Sequence, residues 1–263
     1  MTIEEIKKEI ETNHFEWFRK RMPDFPVGEV SKDERPDFLV KTNNGIIGID
    51  ITELIIQENQ RKLEAMSEKI INLAQKYYKL KKWPDIEVKF NFNKSITNLP
   101  KKDYDKIARR IAELVHSEVS KNLTTPWNWC SLIPYELPET PEKISELINC
   151  ISMICSGENH WSITHVGFAK LDPIKNIQKC IDKKHTKLKE YLTKCSTCWL
   201  LIVADSKPSS FIVPNEESLN NVYTSNFERT YLSNYPNQPS LLNTQKNVKF
   251  TDNEHENLNN SKK

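Results

Sequence analysis

The chain has 263 residues, enough for one large domain or two small ones around a sizeable core. With 37% apolar and 28% charged residues it is polar for a globular protein, so part of the length is expected to stay unpacked. A formal net charge of +2 is too small to argue for nucleic acid from bulk charge, and no apolar run reaches the roughly 18 residues of a membrane-spanning helix.

The opening Met1-Thr2-Ile3-Glu4-Glu5 is acidic and has no apolar stretch, so no signal peptide is expected. Six cysteines lie scattered along the chain, which fits reduced thiols in a cytoplasmic protein. Only five glycines are present, and neither a dinucleotide-binding nor a P-loop pattern can be written from them. The nucleophile elbow of the α/β-hydrolases is missing as well.

In chain order, Thr2 to about Arg21 predicts an amphipathic helix, with Ile3, Ile6, Ile10, Trp17 and Phe18 recurring near helical spacing. Pro23 and Pro26 follow it. Phe38-Leu39-Val40 and Ile46 to Ile51 predict two strands, and Asn44-Gly45 between them is a strong hairpin signal. Leu54 to about Lys82 predicts a long helix with Leu63, Met66, Ile70 and Ala74 on one face. Ile86 to Phe92 alternates with period two and predicts a half-buried strand. A second long helix follows over Lys101 to Lys121.

Residues 126–160 are Pro- and Trp-rich at the start and are expected to be an insertion or loop region, with a short helix over Pro141 to Cys155. Trp161 to Ala169 predicts a strand, and Pro173 to Lys194 a basic helix. Cys198 to Ala204 is an uninterrupted apolar run, which fits a strand buried on both faces. Phe211 to Val213 and Tyr223 to Leu232 are expected to add edge strands. The expectation is a single α/β domain over residues 1–232, a mixed β-sheet flanked by helices, followed by a disordered polar tail over 233–263.

The feature that carries chemistry is the hairpin. Asp37 opens its first strand, and Asp50 lies near the end of its second. Asp50 and Thr52 share a face because side chains alternate along a strand. Whether Asp37 joins that face depends on register. If it does, two carboxylates with a backbone carbonyl and waters make an oxygen site suited to Mg²⁺. The plainer reading makes Asp37 a strand-start residue and Asp50 a solvent-facing one.

Pro36-Asp37, twelve intervening residues and Asp50-Ile51-Thr52 resemble the motif of the PD-(D/E)XK nuclease superfamily. The resemblance implies a restriction-endonuclease-like core with helical insertions. It implies metal held at Asp37, Asp50 and Ile51, and Mg²⁺-dependent cleavage of DNA, in restriction or phage defence. It also implies an acid from the first helix, for which Glu16 is the candidate and Glu34 its competitor. One alignment covers residues 2 to 92. Another treats residues 54–170 as largely insertion and completes the core with the basic helix and the Cys198–Ala204 strand.

One departure matters: Thr52 stands where the family carries a lysine. The basic helix offers Lys184 and Lys187, three residues apart, with Tyr191 beyond them; Glu53 is an alternative partner. Otherwise the chain is a catalytically inactive nucleic-acid- or protein-binding module on the same fold. Oligomeric state, a homodimer included, is left open.

The other candidates read as structural. Most lysines of the basic helix are expected on a solvated face rather than on phosphate, and Tyr77-Tyr78-Lys79-Leu80-Lys81-Lys82, a mix of aromatics and bases that suits nucleic acid, is equally a lysine-rich helix end favoured by the macrodipole. Cys195-Ser196-Thr197-Cys198 lacks the second pair that zinc needs. His160 and His165 have opposite parity on a strand. Trp127-Asn128-Trp129 is expected to cap a core edge.

Overall fold

The computed structural model describes residues 3–95, 99–122, 129–136, 142–164, 170–205, 207–234 and 236–246. In chain order these form α1 (Ile3–Arg21), β1 (Glu29–Lys32), β2 (Phe38–Thr42), β3 (Gly45–Glu53), α2 (Glu58–Leu80) and β4 (Glu87–Phe92). Then come α3 (Tyr104–Asn122), β5 (Trp129–Leu132), α4 (Glu142–Leu147), β6 (Ile148–Ile154) and β7 (His160–Ile163). The chain continues through α5 (Ile174–Tyr191), β8 (Thr197–Ala204), α6 (Glu216–Asn220), β9 (Tyr223–Thr224), β10 (Arg229–Asn234), β11 (Ser240–Leu241) and β12 (Thr244–Gln245). No helix among the described residues is long and apolar enough to cross a membrane.

The α/β class holds, with mixed sheets flanked by helices. The chain divides into two compact units, one of Met1–Ile56 with Ala169–Lys263 and one of Gln57–Phe168. The division resembles the alignment in which residues 54–170 are largely insertion.

The first unit holds a six-stranded sheet in the order β1-β2-β3-β8-β10-β11. Its middle is parallel, β3 beside β8 and β8 beside β10, and its edges are antiparallel. A parallel interior is covered on both faces, and here two separate cores do this. On one face Phe15 and Phe18 of α1 pack with Ile49, Ile51, Trp199 and Leu201. On the other, Ile177, Ile181 and Leu188 of α5 pack with Leu200 and Ile202. That explains the unbroken apolar run of β8: its residues alternate between two cores.

The helical face of α1 differs from the expected one. Ile6 and Ile10 are exposed; Phe18 is fully buried as expected, and so is Phe15, which the expected face did not include. Aromatic rings remove more surface from water than aliphatic chains, and they decide which face turns inward. Thr2, where the helix was expected to start, lies outside the described residues. The hairpin is shifted as well. Thr42 pairs with Gly45, so the turn is Asn43-Asn44, and the positive φ (+127°) falls on Gly45 alone of the three. Thr42 Oγ1 closes the turn, accepting from Asn44 N and donating to Gly45 O.

The second unit is a four-stranded sheet, β5-β6-β4-β7, packed against α2 and α3. The segment 126–160 is therefore no plain insertion loop: its described residues supply β5, β6 and the first residue of β7. The helix expected over Pro141 to Cys155 is only six residues long and gives way to strand at Ile148. Trp129 caps no core edge and is exposed, while Trp127, Asn128 and His165 lie outside the described residues.

Of residues 233–263, expected as a polar tail, those described up to 246 include paired strands. β10 runs to Asn234, β11 pairs with β10, β12 pairs with β9, and Leu242 is buried. Backbone pairing with one apolar anchor is enough here, and composition does not register either. Residues 247–263 lie outside the described residues.

Candidate functional site

The site grows out of the β2–β3 pairing. Phe38 faces Ile49, and one residue further in the same register Asp37 stands opposite Asp50. The Asp37 carboxylate is tied to the neighbouring strand, accepting from Ile51 N at 2.7 Å. Asp50 lies within β3, in register with Leu200 of β8, and is only 2% exposed. Gly48 is required one pleat away: a Cβ there would meet Pro36 Cγ at 2.6 Å and Cys195 Sγ at 2.7 Å.

The cation comes from α5. Ile181, Tyr191 and Leu188 of this helix are buried, and Lys184 sits at the edge of the same face. Its Nζ approaches Asp50 Oδ2 at 2.7 Å and Ile51 O at 3.4 Å. The side chains of the pair are 16% and 3% exposed. The approach is ionic without hydrogen-bond geometry, so Asp50 Oδ2 stays buried without a hydrogen-bond partner. Lys187 is exposed, turned away from Asp50 by its place beyond the buried stripe.

Charge and burial reinforce each other at this sheet edge. Burial first, then the charge of Asp50, pushes the Asp37 carboxyl up to about 7, against the pull of its Ile51 N–H bond and of Lys184. Burial first, then the charge and hydrogen bonding of Asp50, pushes the Tyr191 phenol well above its ordinary value. The phenol is therefore a proton-bearing group throughout the physiological range.

The structure separates the remaining candidates. Thr52 follows on the Asp50 face, with Oγ1 3.9 Å from Cys180 Sγ. Glu16 is half-exposed and lies 3.9 Å from Arg19; Glu34 is exposed and lies 3.7 Å from Lys8. Neither is brought to the aspartates. The α1 acid whose charge reaches Asp37 is Glu11. It stands four and seven residues before Phe15 and Phe18, the spacing of one helical face, and that spacing was the signal available in the sequence. Glu53 and Asp205 instead act on His14 of α1, whose pKa is lowered because burial outweighs their charges.

Among the described residues no group of three or more His, Cys, Asp and Glu side chains gathers as a metal cluster. The oxygen donors here are two carboxylates and one carbonyl, the hard ligand type that a divalent cation takes together with several waters. In this structure Lys184 Nζ lies against Asp50 Oδ2 and Ile51 O, and Ile51 N against Asp37 Oδ2, so a bound ion would have to displace the amine from at least one of them. Comparison with protein-family models, with curated proteins and with solved structures finds no match to this chain.

Proposed function

We propose that the first unit is a restriction-endonuclease-like core of PD-(D/E)XK type that hydrolyses phosphodiester bonds of DNA with Mg²⁺ or Mn²⁺. Asp37, Asp50 and the Ile51 carbonyl would hold the ion. The observation that carries this reading is Lys184, an amine from α5 at 2.7 Å from Asp50 Oδ2, on the face where Thr52 offers none. A bound divalent ion lowers the pKa of an attacking water and stabilises charge on the phosphate.

The chain's own groups do the rest. Lys184 brings a positive charge to the Asp50 side of the site, where it stabilises an anionic phosphate or orients the water. Asp37, whose carboxyl is pushed up to about 7, would be available to the ion once deprotonated above neutral pH. Tyr191, held protonated, donates towards Asp50. Glu11 supplies a further carboxylate charge from α1. Restriction or phage defence is the setting implied by the sequence resemblance.

Plasmid cleavage tests this reading. Wild type is expected to cut with Mg²⁺ or Mn²⁺, Asp50→Ala to lose cutting by about a hundredfold or more, and Lys184→Ala to fall further than Lys187→Ala. An Asp50→Ala protein that cuts as well as wild type removes the site assignment. A wild type that cuts with neither metal but retards DNA in a gel favours the inactive binding module.

A further inference from the structure

The second unit carries a cavity of its own, about 300 Å³, beneath α2 and beside the sheet. Gln60, Glu64 and Ser67 line it from one face of α2, spaced four and three residues apart. Asn91 of β4 and Asn149 of β6 line it from the sheet, and Lys94, exposed, stands at its rim. Leu63, Phe92 and Ile163 supply apolar wall.

The cavity opens to solvent on one side, and its wall is mainly apolar with a few polar groups set deep in it. Here Glu64 is 5% exposed and Ser67 1% exposed, and Ser67 Oγ has no hydrogen-bond partner. A buried hydroxyl costs free energy unless it is paired, so Ser67 offers a hydrogen-bonding group to a ligand that enters here. The two asparagines are held in one orientation: Asn149 Nδ2 donates to Asn91 Oδ1 at 2.9 Å and lies 3.5 Å from Phe92 O. That leaves Asn91 Nδ2 as a donor and Asn149 Oδ1 as an acceptor, beside the Glu64 carboxylate.

We propose that this cavity binds a nucleobase, with the attached phosphate reaching Lys94. A carboxylate accepts from ring N–H and exocyclic amino groups, and amides read the donor and acceptor edge of a base; both pairings follow from geometry. The apolar wall takes the ring faces, as in pockets that receive an unstacked base. The volume lies at the small end of ligand sites, sufficient for one base and too small for a dinucleotide. The base belongs either to a free mononucleotide or to a nucleic-acid strand. The cavity lies wholly within Gln57–Phe168, so the proposal does not depend on the aspartate pair.

The test is calorimetric titration of the full chain, in EDTA, with GMP, AMP, CMP and UMP and with a short single-stranded oligonucleotide. Saturable binding is expected, weakened about tenfold or more by Glu64→Gln, since a charge-assisted bond becomes a neutral one. Asn91→Asp is expected to change which base binds best, and Arg110→Ala on α3 to leave binding intact. Binding of mononucleotides identifies the free ligand, and binding of the oligonucleotide alone identifies the strand. Absence of binding by any of these probes at millimolar concentration overturns the proposal. So does binding that survives both Glu64→Gln and Asn91→Asp undiminished. Should Glu64→Gln not fold, Asn91→Asp carries the test alone.

Discussion

Two ion pairs of equal length sit in opposite surroundings. In the first unit Lys184 Nζ and Asp50 Oδ2 lie 2.7 Å apart, with side chains 16% and 3% exposed. In the second unit Arg110 and Glu113 lie 2.7 Å apart on α3, with side chains 52% and 54% exposed. Distance does not separate them; water does. The α3 pair needs only a helix, which brings residues three apart together wherever it forms. The Asp50 pair needs the β2–β3 hairpin, the parallel β3–β8 ladder and α5 docked across both. Burying two charges is a poor route to stability, because apolar groups of similar volume serve as well or better. The costly arrangement is thus the one where chemistry is expected, and the cheap one is where it is not.

The largest expected effect breaks the buried pair from one side. Lys184→Met keeps much of the apolar stem and removes the charge, stranding a carboxylate in the sheet; a loss of about 3–5 kcal/mol is expected. Urea denaturation measures it. Adding Asp50→Asn to the same protein is expected to restore much of the loss, since the stranded charge goes with it. Equal stability of wild type and Lys184→Met would mean that water reaches Asp50 freely, and the contrast with α3 would collapse.

The second expected effect concerns the partner carboxylate. The folded-state pKa of Asp37, about 7, lies above the ordinary value of 3.8. Below about pH 4 both folded and unfolded chains hold the proton, and there is no penalty. As pH rises towards 7 the unfolded chain ionises first, so stability falls; above 7 the full penalty is in place. Asp37→Asn is therefore expected to gain on wild type between pH 4 and 7, by on the order of 2 kcal/mol, and then to hold a constant lead. Melting temperatures across that range, in EDTA, check it. Divalent-ion affinity of wild type is expected to climb through the same window and to be lost in the variant. A lead that is flat from pH 4 upward would place Asp37 in water rather than against Asp50.

How much of this was legible in the sequence varied with the physical signal. The hairpin and the two aspartates were, because alternation and Asn-Gly act over a few neighbouring residues. Lys184 was reachable only through the lysine missing at Thr52, combined with a basic helix whose lysines otherwise look alike. Glu11 was missed because Ile6 and Ile10 were counted on the buried face and Phe15 was not. Strands β5 and β6 of the second unit were hidden for another reason. Residues 142–154 mix Ile144, Leu147, Ile148, Ile151 and Met153 at spacings that satisfy a helix and then a strand, and only pairing with β4 and β5 decides where one ends. Strands built by partners far along the chain leave little trace in a local pattern.

The smallest expected effect completes the contrast. Arg110→Ala removes a guanidinium at the same 2.7 Å separation as the buried amine, yet its carboxylate partner Glu113 is left in water with its hydration intact. Alanine also has the higher helix propensity, which offsets part of the lost attraction. A change within about 0.5 kcal/mol of wild type is expected, shrinking further in high salt as the exposed charges are screened. The Lys184→Met loss should scarcely respond to salt, because a pair shielded from solvent is also shielded from ions. A salt series on both variants therefore isolates solvent access as the variable. If the two losses fell together with ionic strength, burial would not be what distinguishes the aspartate site from the surface of α3.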